Sequence, residues 1–191
     1  MRLFLAIEIP FSIREFLASL IEPKSAINGI NMVSKQNLHI TLKFLGEVEE
    51  KLIPKIKEIL NPLSREFSPF KLKITRPGVF PDRDKPRVIW IGTENKEVLK
   101  DLAKRIDENL SVIGFQKETR EFKAHITLAR VKNYKNGRYV FEKLVDKYRQ
   151  ISVEGRQFEF SVEEFVLMKS TLTPNGSIYE VIERFNLGKS F

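Results

Sequence analysis

The chain has two histidines among its 191 residues, and each opens the same tetrapeptide: His39-Ile40-Thr41-Leu42 and His125-Ile126-Thr127-Leu128. In an extended strand, side chains alternate between faces. His39 and Thr41 therefore share one face, while Ile40, Leu42 and Phe44 take the other and pack against a helix. His125 and Thr127 repeat the arrangement. Two such strands meeting across a cleft place two imidazoles and two hydroxyls around one point. A neutral imidazole takes a proton from water, a protonated one gives a proton to a leaving oxygen, and both forms coexist near neutral pH. Threonine hydroxyls donate to the oxygens of a phosphoryl group, where charge builds up. The pattern suits phosphoryl chemistry by paired acid and base. A metal site fits less well, because neither repeat carries a second ligand at short spacing and the chain has no cysteine.

The elements that must hold these strands are legible as periodicities. Residues 2–9 read as a strand. A helix over 12–22 follows, with Ile13, Phe16, Leu17, Leu20 and Ile21 at helical spacing, closed by Pro23. Residues 38–45 form the strand of the first tetrapeptide. Leu52, Ile53, Ile56, Ile59 and Leu60 mark a helix that Pro62 stops. A strand over 70–75, a Pro-, Gly- and Arg-rich loop over 76–87 and an apolar strand over 88–92 come next. A similar order then recurs: a helix from Val98 to Leu110, a strand over 124–131, and a helix from Val140 to Tyr148. Strands over 157–168 and 177–185 close the chain, joined at the turn signal Pro174-Asn175-Gly176. The two tetrapeptides sit in matching places, which predicts two lobes related by a pseudo-twofold.

Composition bounds the class. A hydrophobic share of 42% supports a real core, and 30% charged residues without a long polar run argues against disorder. Without cysteine there is no disulfide and no thiolate nucleophile. The apolar runs, such as Val88-Ile89-Trp90-Ile91, are far shorter than the roughly 20 residues a bilayer demands. The first strand is broken by a charge too early for a signal peptide, so a cytoplasmic protein with no membrane partner is expected. A net charge of +8 favours an anionic partner, nucleic acid first.

The sequence resembles the 2H phosphoesterase superfamily, and within it the RNA 2',3'-cyclic phosphodiesterases also called 2'-5' RNA ligases. The likeness covers nearly the whole chain. It rests on Arg2-Leu3-Phe4-Leu5-Ala6-Ile7, on His39 through Gly46, on Pro86-Arg87-Val88-Ile89-Trp90, on Phe122 through Arg130, and on Pro174 through Tyr179. The resemblance implies an α+β, bilobal fold of two pseudo-symmetric antiparallel sheets, each flanked by helices, with a basic central cleft. It implies one domain over residues 1–191 made of two interleaved lobes. The implied reaction opens an RNA 2',3'-cyclic phosphate to a 2'-phosphate with no cofactor and no metal. His39 and His125 are the catalytic pair, with His39 as acid and His125 as base, and Thr41 and Thr127 bind the phosphate.

Further positions are expected near the substrate. Strand alternation places Lys43 in the cleft with Thr41, beside a phosphate or in solvent. Arg130 matches a basic position of the family and is expected to bind substrate. Its odd offset from His125 points it to the opposite face, so a twist or bulge must bring it back. Arg76, Arg83, Lys85 and Arg87 either track an RNA backbone or are solvated loop charge. Phe4, Phe80 and Tyr179 either stack a base or pack in the core. The expected partner is RNA with a 2',3'-cyclic phosphate end, tRNA fragments included, and the expected state is a monomer. The competing readings are a 2'-5' ligase joining tRNA half-molecules, a non-catalytic RNA-binding module, and a 2H enzyme with another cyclic phosphate or 2'-5' oligonucleotide as substrate.

Overall fold

A computed structural model describes residues 1–21, 27–153, 158–174 and 176–188. Among the described residues are nine strands: β1 (Arg2–Glu8), β2 (Ile30–Met32), β3 (His39–Glu47), β4 (Phe70–Phe80), β5 (Val88–Thr93), β6 (His125–Val131), β7 (Glu159–Val162), β8 (Glu164–Thr173) and β9 (Gly176–Asn186). Four α-helices accompany them: α1 (Phe11–Leu20), α2 (Ile53–Arg65), α3 (Lys96–Ser111) and α4 (Tyr134–Val153). The strands run in the order β7-β4-β5-β6-β3-β1-β8-β9, all antiparallel, with β2 added to β6.

The order is symmetric about its middle. Outward from the centre, β6, β5, β4 and β7 on one side match β3, β1, β8 and β9 on the other. The halves join at the centre through the pairing of Ile40 with Ile126, the second residues of the two tetrapeptides. Helices cross between halves. α3, which follows β5, packs on β3, and α2 packs on β9; α4 covers β4 and β6, with α1 beside it. The main core lies under these helices. It takes Leu3, Leu5 and Ile7 from β1, and Leu99, Leu102 and Ile106 from α3. The opposite face of β1 carries a small separate cluster of Phe4, Ala6, Val166 and Met168. β1 is thus buried on both faces, which explains its unbroken apolar run.

Several elements depart from the periodicity reading. α2 continues through Pro62 to Arg65. A proline this near a helix end removes only one backbone bond, and the tertiary contacts of Leu63 and Ser64, both buried, outweigh that loss. Residues 76–80 are strand rather than loop, because β4 runs on through Pro77 and Gly78 to pair with β5. A Cβ at Gly78 would lie 2.2 Å from the Trp90 ring, so only glycine lets the indole cross the strand there. The segment expected as one strand over 157–168 is two, β7 on β4 and β8 on β1. Pro23, residue 157 and Asn175 lie outside the described residues. Among the described residues no helix is long and apolar enough to cross a membrane.

Candidate active site

β3 and β6 begin at the two histidines and are built alike. Along each strand the burial pattern starts with a half-buried His, a buried Ile, a half-buried Thr and a buried Leu, and the fifth residue is buried too. That fifth burial breaks the alternation. In β6, Ala129 pairs with Ile89 and Thr127 with Trp90, leaving Leu128 as an extra residue. In β3, Lys43 pairs with Leu5 and Thr41 with Ala6, leaving Leu42 as the extra residue. Each is a β-bulge, which reverses the faces of the residues that follow, in β3 as far as a second bulge at Leu45.

The bulges decide two of the expected ligands. In β6 the bulge returns Arg130 to the face of His125 and Thr127, where it is exposed and its charge reaches both histidines. In β3 the matching bulge moves Lys43 off the cleft face, contrary to the expectation from alternation. Lys43 is buried, with Nζ 2.5 Å from Asp107 Oδ1 on α3 and 2.8 Å from the Gln116 carbonyl oxygen. Phe44, expected in the core, is instead 61% exposed on the cleft side, its ring 6.0 Å from that of Phe4.

Both imidazoles are oriented by the same device. His39 Nδ1 lies 2.7 Å from the carbonyl oxygen of Asn37, and His125 Nδ1 lies 2.5 Å from that of Lys123. A carbonyl only accepts, so Nδ1 keeps its hydrogen and Nε2 is the working nitrogen in both rings. His39 Nε2 is 3.0 Å from Thr41 Oγ1. The loop carrying Asn37 is itself tied across the fold, since Asn37 Nδ2 donates to Ser177 O at 2.6 Å.

Aromatic rings wall each histidine. Phe4 lies 5.0 Å and Tyr179 5.3 Å from the His39 ring; Phe80 lies 5.1 Å and Trp90 6.2 Å from the His125 ring. Phe4, Phe80 and Tyr179 thus pack on the histidines, and Trp90 completes a wall that periodicity did not single out. Its signal in the sequence was position alone, since Trp90 is the cross-strand partner of Thr127. Burial among these rings pushes both histidines below the ordinary value of 6.5. The carbonyl bonds oppose the shift, and positive charge adds to it: Arg130 acts on both, and His125 on His39. The two rings therefore share one electrostatic environment that disfavours two protons at once.

Such a site can hold a phosphoryl group between two imidazoles, with hydroxyls and a guanidinium to meet its oxygens. Among the described residues no group of three or more His, Cys, Asp or Glu is placed to hold a metal ion.

Comparison with known proteins shows the family of the chain. The family model described as LigT like Phosphoesterase matches the chain twice, over residues 8–90 and 91–179. A Methanocaldococcus jannaschii protein named RNA 2',3'-cyclic phosphodiesterase is 46% identical over 97% of this chain and 100% of its own length. An Archaeoglobus fulgidus protein of the same name is 40% identical over 97% of this chain and 99% of its own. Among solved structures, TT0787 of Thermus thermophilus superposes over the full length of both chains with a TM-score of 0.79 and 29% identity. Escherichia coli LigT, solved with NADP+, shares the fold at a TM-score of 0.71 and 24% identity over 98% of both chains.

Proposed function

The chain belongs to the LigT-like phosphoesterase family of the 2H superfamily, and from that premise we propose that it hydrolyses RNA 2',3'-cyclic phosphate ends to 2'-phosphates. The observation that carries the chemical part is the matched pair of Nδ1–carbonyl bonds, which leave two Nε2 atoms to work on one group beside Arg130.

The cyclic phosphate lies between β3 and β6. Thr41 and Thr127 donate to its non-bridging oxygens, and the Arg130 guanidinium balances the charge that grows there. His125 Nε2 takes a proton from water as the water oxygen bonds to phosphorus. His39, protonated, gives its proton to the 3'-oxygen as the P–O3' bond breaks. The product keeps phosphate on the 2'-oxygen and a hydroxyl at C3'. His39 ends neutral and His125 protonated, and a proton exchange with solvent restores the pair. The arriving phosphate anion raises the proton affinity of both rings, which supplies the proton that burial alone would deny His39.

The scheme uses two imidazoles for both proton transfers and needs no metal. The assignment of His39 as acid follows the family resemblance. With a 5'-hydroxyl in place of water, the same steps form a 2'-5' linkage, for instance between tRNA halves; this is the second reading.

The test is turnover of a short RNA ending in a 2',3'-cyclic phosphate, in EDTA, with and without a 5'-hydroxyl RNA fragment. A 2'-phosphate product at undiminished rate in EDTA is expected. Loss of turnover in EDTA, restored by a divalent ion, overturns the metal-free scheme. A 2'-5'-linked product that dominates when the fragment is present favours ligation.

A further inference from the structure

We propose that three arginines on the outer side of the second motif's half form a phosphate track that holds the RNA body upstream of the cyclic end. The inference rests on the RNA reading above and extends it to the polymer.

The first observation is a row. Arg87 lies with its guanidinium carbon 5.2 Å from the Tyr134 ring centroid, and Arg83 lies 5.6 Å from that of Phe141. Tyr134 and Phe141 are seven residues apart on α4, two helical turns, so they lie on one stripe about 10.5 Å long. Arg138, four after the one and three before the other, lies on that same stripe between them. Three arginines thus follow one another along the helix.

The second observation is that this charge is unspent. Arg83, Arg87 and Arg138 are exposed, and so are Lys132 and Lys135 nearby. None of these five forms an ion pair among the described residues. Elsewhere cations are commonly matched, as in Lys57–Glu183, Lys169–Glu180 and Arg184 with Glu8 and Glu164. Asp82, one of the two acids that flank Arg83 in sequence, has its Oδ1 turned onto the backbone N–H groups of Asp84 and Lys85, 2.9 Å from each. A guanidinium within about 6 Å of a ring centroid is attracted to the ring, and its N–H groups can still meet a phosphate.

The third observation is continuity with the site. Arg87 is the residue before Val88, the cross-strand partner of Arg130, and its carbonyl accepts from Val131 N at 2.8 Å. Arg87 itself lies on the α4 side, over Tyr134, so a strand leaving the cleft past Arg130 turns over the end of β5 and β6 to reach Arg87 first, then Arg138 and Arg83. The described residues of the first half include exposed apolar side chains near the cleft. Phe44, Leu172 and Ile178 are among them.

A single-stranded polyanion is the occupant that this row fits. Each neutralised phosphate of a single strand contributes about 0.7 to the slope of log affinity against log salt, so three contacts contribute roughly 2.

The experiment compares two substrates, a nucleoside 2',3'-cyclic phosphate and an RNA of about ten nucleotides with the same end, on the full chain carrying Arg83→Gln, Arg87→Gln and Arg138→Gln. The expected result is an oligomer KM raised about tenfold or more, with its salt slope cut by roughly 2. Mononucleotide kcat/KM stays within about twofold. Wild type that turns over the oligomer far better than the mononucleotide supports the track as well. An oligomer KM and salt slope equal to wild type, with turnover intact, overturn it. Absence of turnover on both substrates by wild type sinks the phosphodiesterase reading instead. If the triple variant does not fold, Arg138→Glu alone serves, with a weakened oligomer KM expected and an unchanged one counting against the track.

Discussion

Lys43 on β3 and Asp107 on α3 form a buried ion pair, with side chains 6% and 17% exposed and Nζ 2.5 Å from Oδ1. The pair ties β3, the strand that begins at His39, to α3. Asp107 Oδ1 also accepts from Glu118 N at 3.0 Å, and Lys43 donates to Gln116 O, so both hold the segment that leads into His125. Removing one member of a buried pair leaves the other charge unmatched, at a cost of about 3–5 kcal/mol. Lys43→Met is therefore expected to lower urea stability by about 3 kcal/mol while leaving KM for the cyclic phosphate near wild type. Unchanged stability with a raised KM would return Lys43 to the phosphate site.

The pH profile follows from the shared environment of His39 and His125. Both are depressed below 6.5, so kcat/KM, which reports the free protein, is expected to peak below pH 6.5. The optimum of kcat lies higher, because bound phosphate favours the protonated ring. Arg130 contributes to both depressions, so Arg130→Gln moves the kcat/KM optimum to higher pH as well as raising KM. An optimum that stays in place would show that Arg130 does not act on the imidazoles.

The same shifts have a sign for stability. Between the depressed values and 6.5 the unfolded chain binds more protons than the folded one. Stability is thus held above pH 6.5 and falls as the pH drops through this window. Thermal melts of His39→Gln are expected to show a shallower loss than wild type over that range; an equal slope would contradict the depressed value of His39.

The threonines are expected to act on the transition state. Thr41→Val and Thr127→Val each keep the shape and remove the donor, and each is expected to cost about 10²–10³-fold in kcat. A rise in KM alone, with kcat intact, would make them ground-state ligands only.

Much of this site was legible in the sequence, because a two-residue period and a repeated tetrapeptide are local signals. His39, Thr41, His125 and Thr127 need only regular strand geometry to share a face. Lys43 and Phe44 were misplaced because a bulge at Leu42 carries no sequence mark; it appears only in the pairing of β3 with β1. The matching bulge at Leu128 was required for Arg130 to reach the cleft, and β6 has it. Likewise the length of β4 depends on Gly78 meeting Trp90, a contact between residues twelve apart that no window of periodicity contains. The division of residues 159–173 into β7 and β8 is set by partners in opposite halves.

The assignment of His39 as acid is open to a direct chemical test. An RNA end whose 3'-bridging atom is sulfur leaves as a thiolate and needs little protonation. His39→Ala is expected to lose about 10²–10⁴-fold on the oxygen substrate and to recover most of it on the sulfur one. His125→Ala is expected to fail on both. The reverse pattern exchanges the two roles.

The central claim is that two histidines together cleave a cyclic phosphate, and the most direct measurement is single-turnover hydrolysis of an RNA 2',3'-cyclic phosphate by wild type, His39→Ala and His125→Ala, each shown to be folded. The account predicts a 2'-phosphate product from wild type and a loss of at least about 10²-fold in each variant. Turnover that survives both substitutions would contradict it.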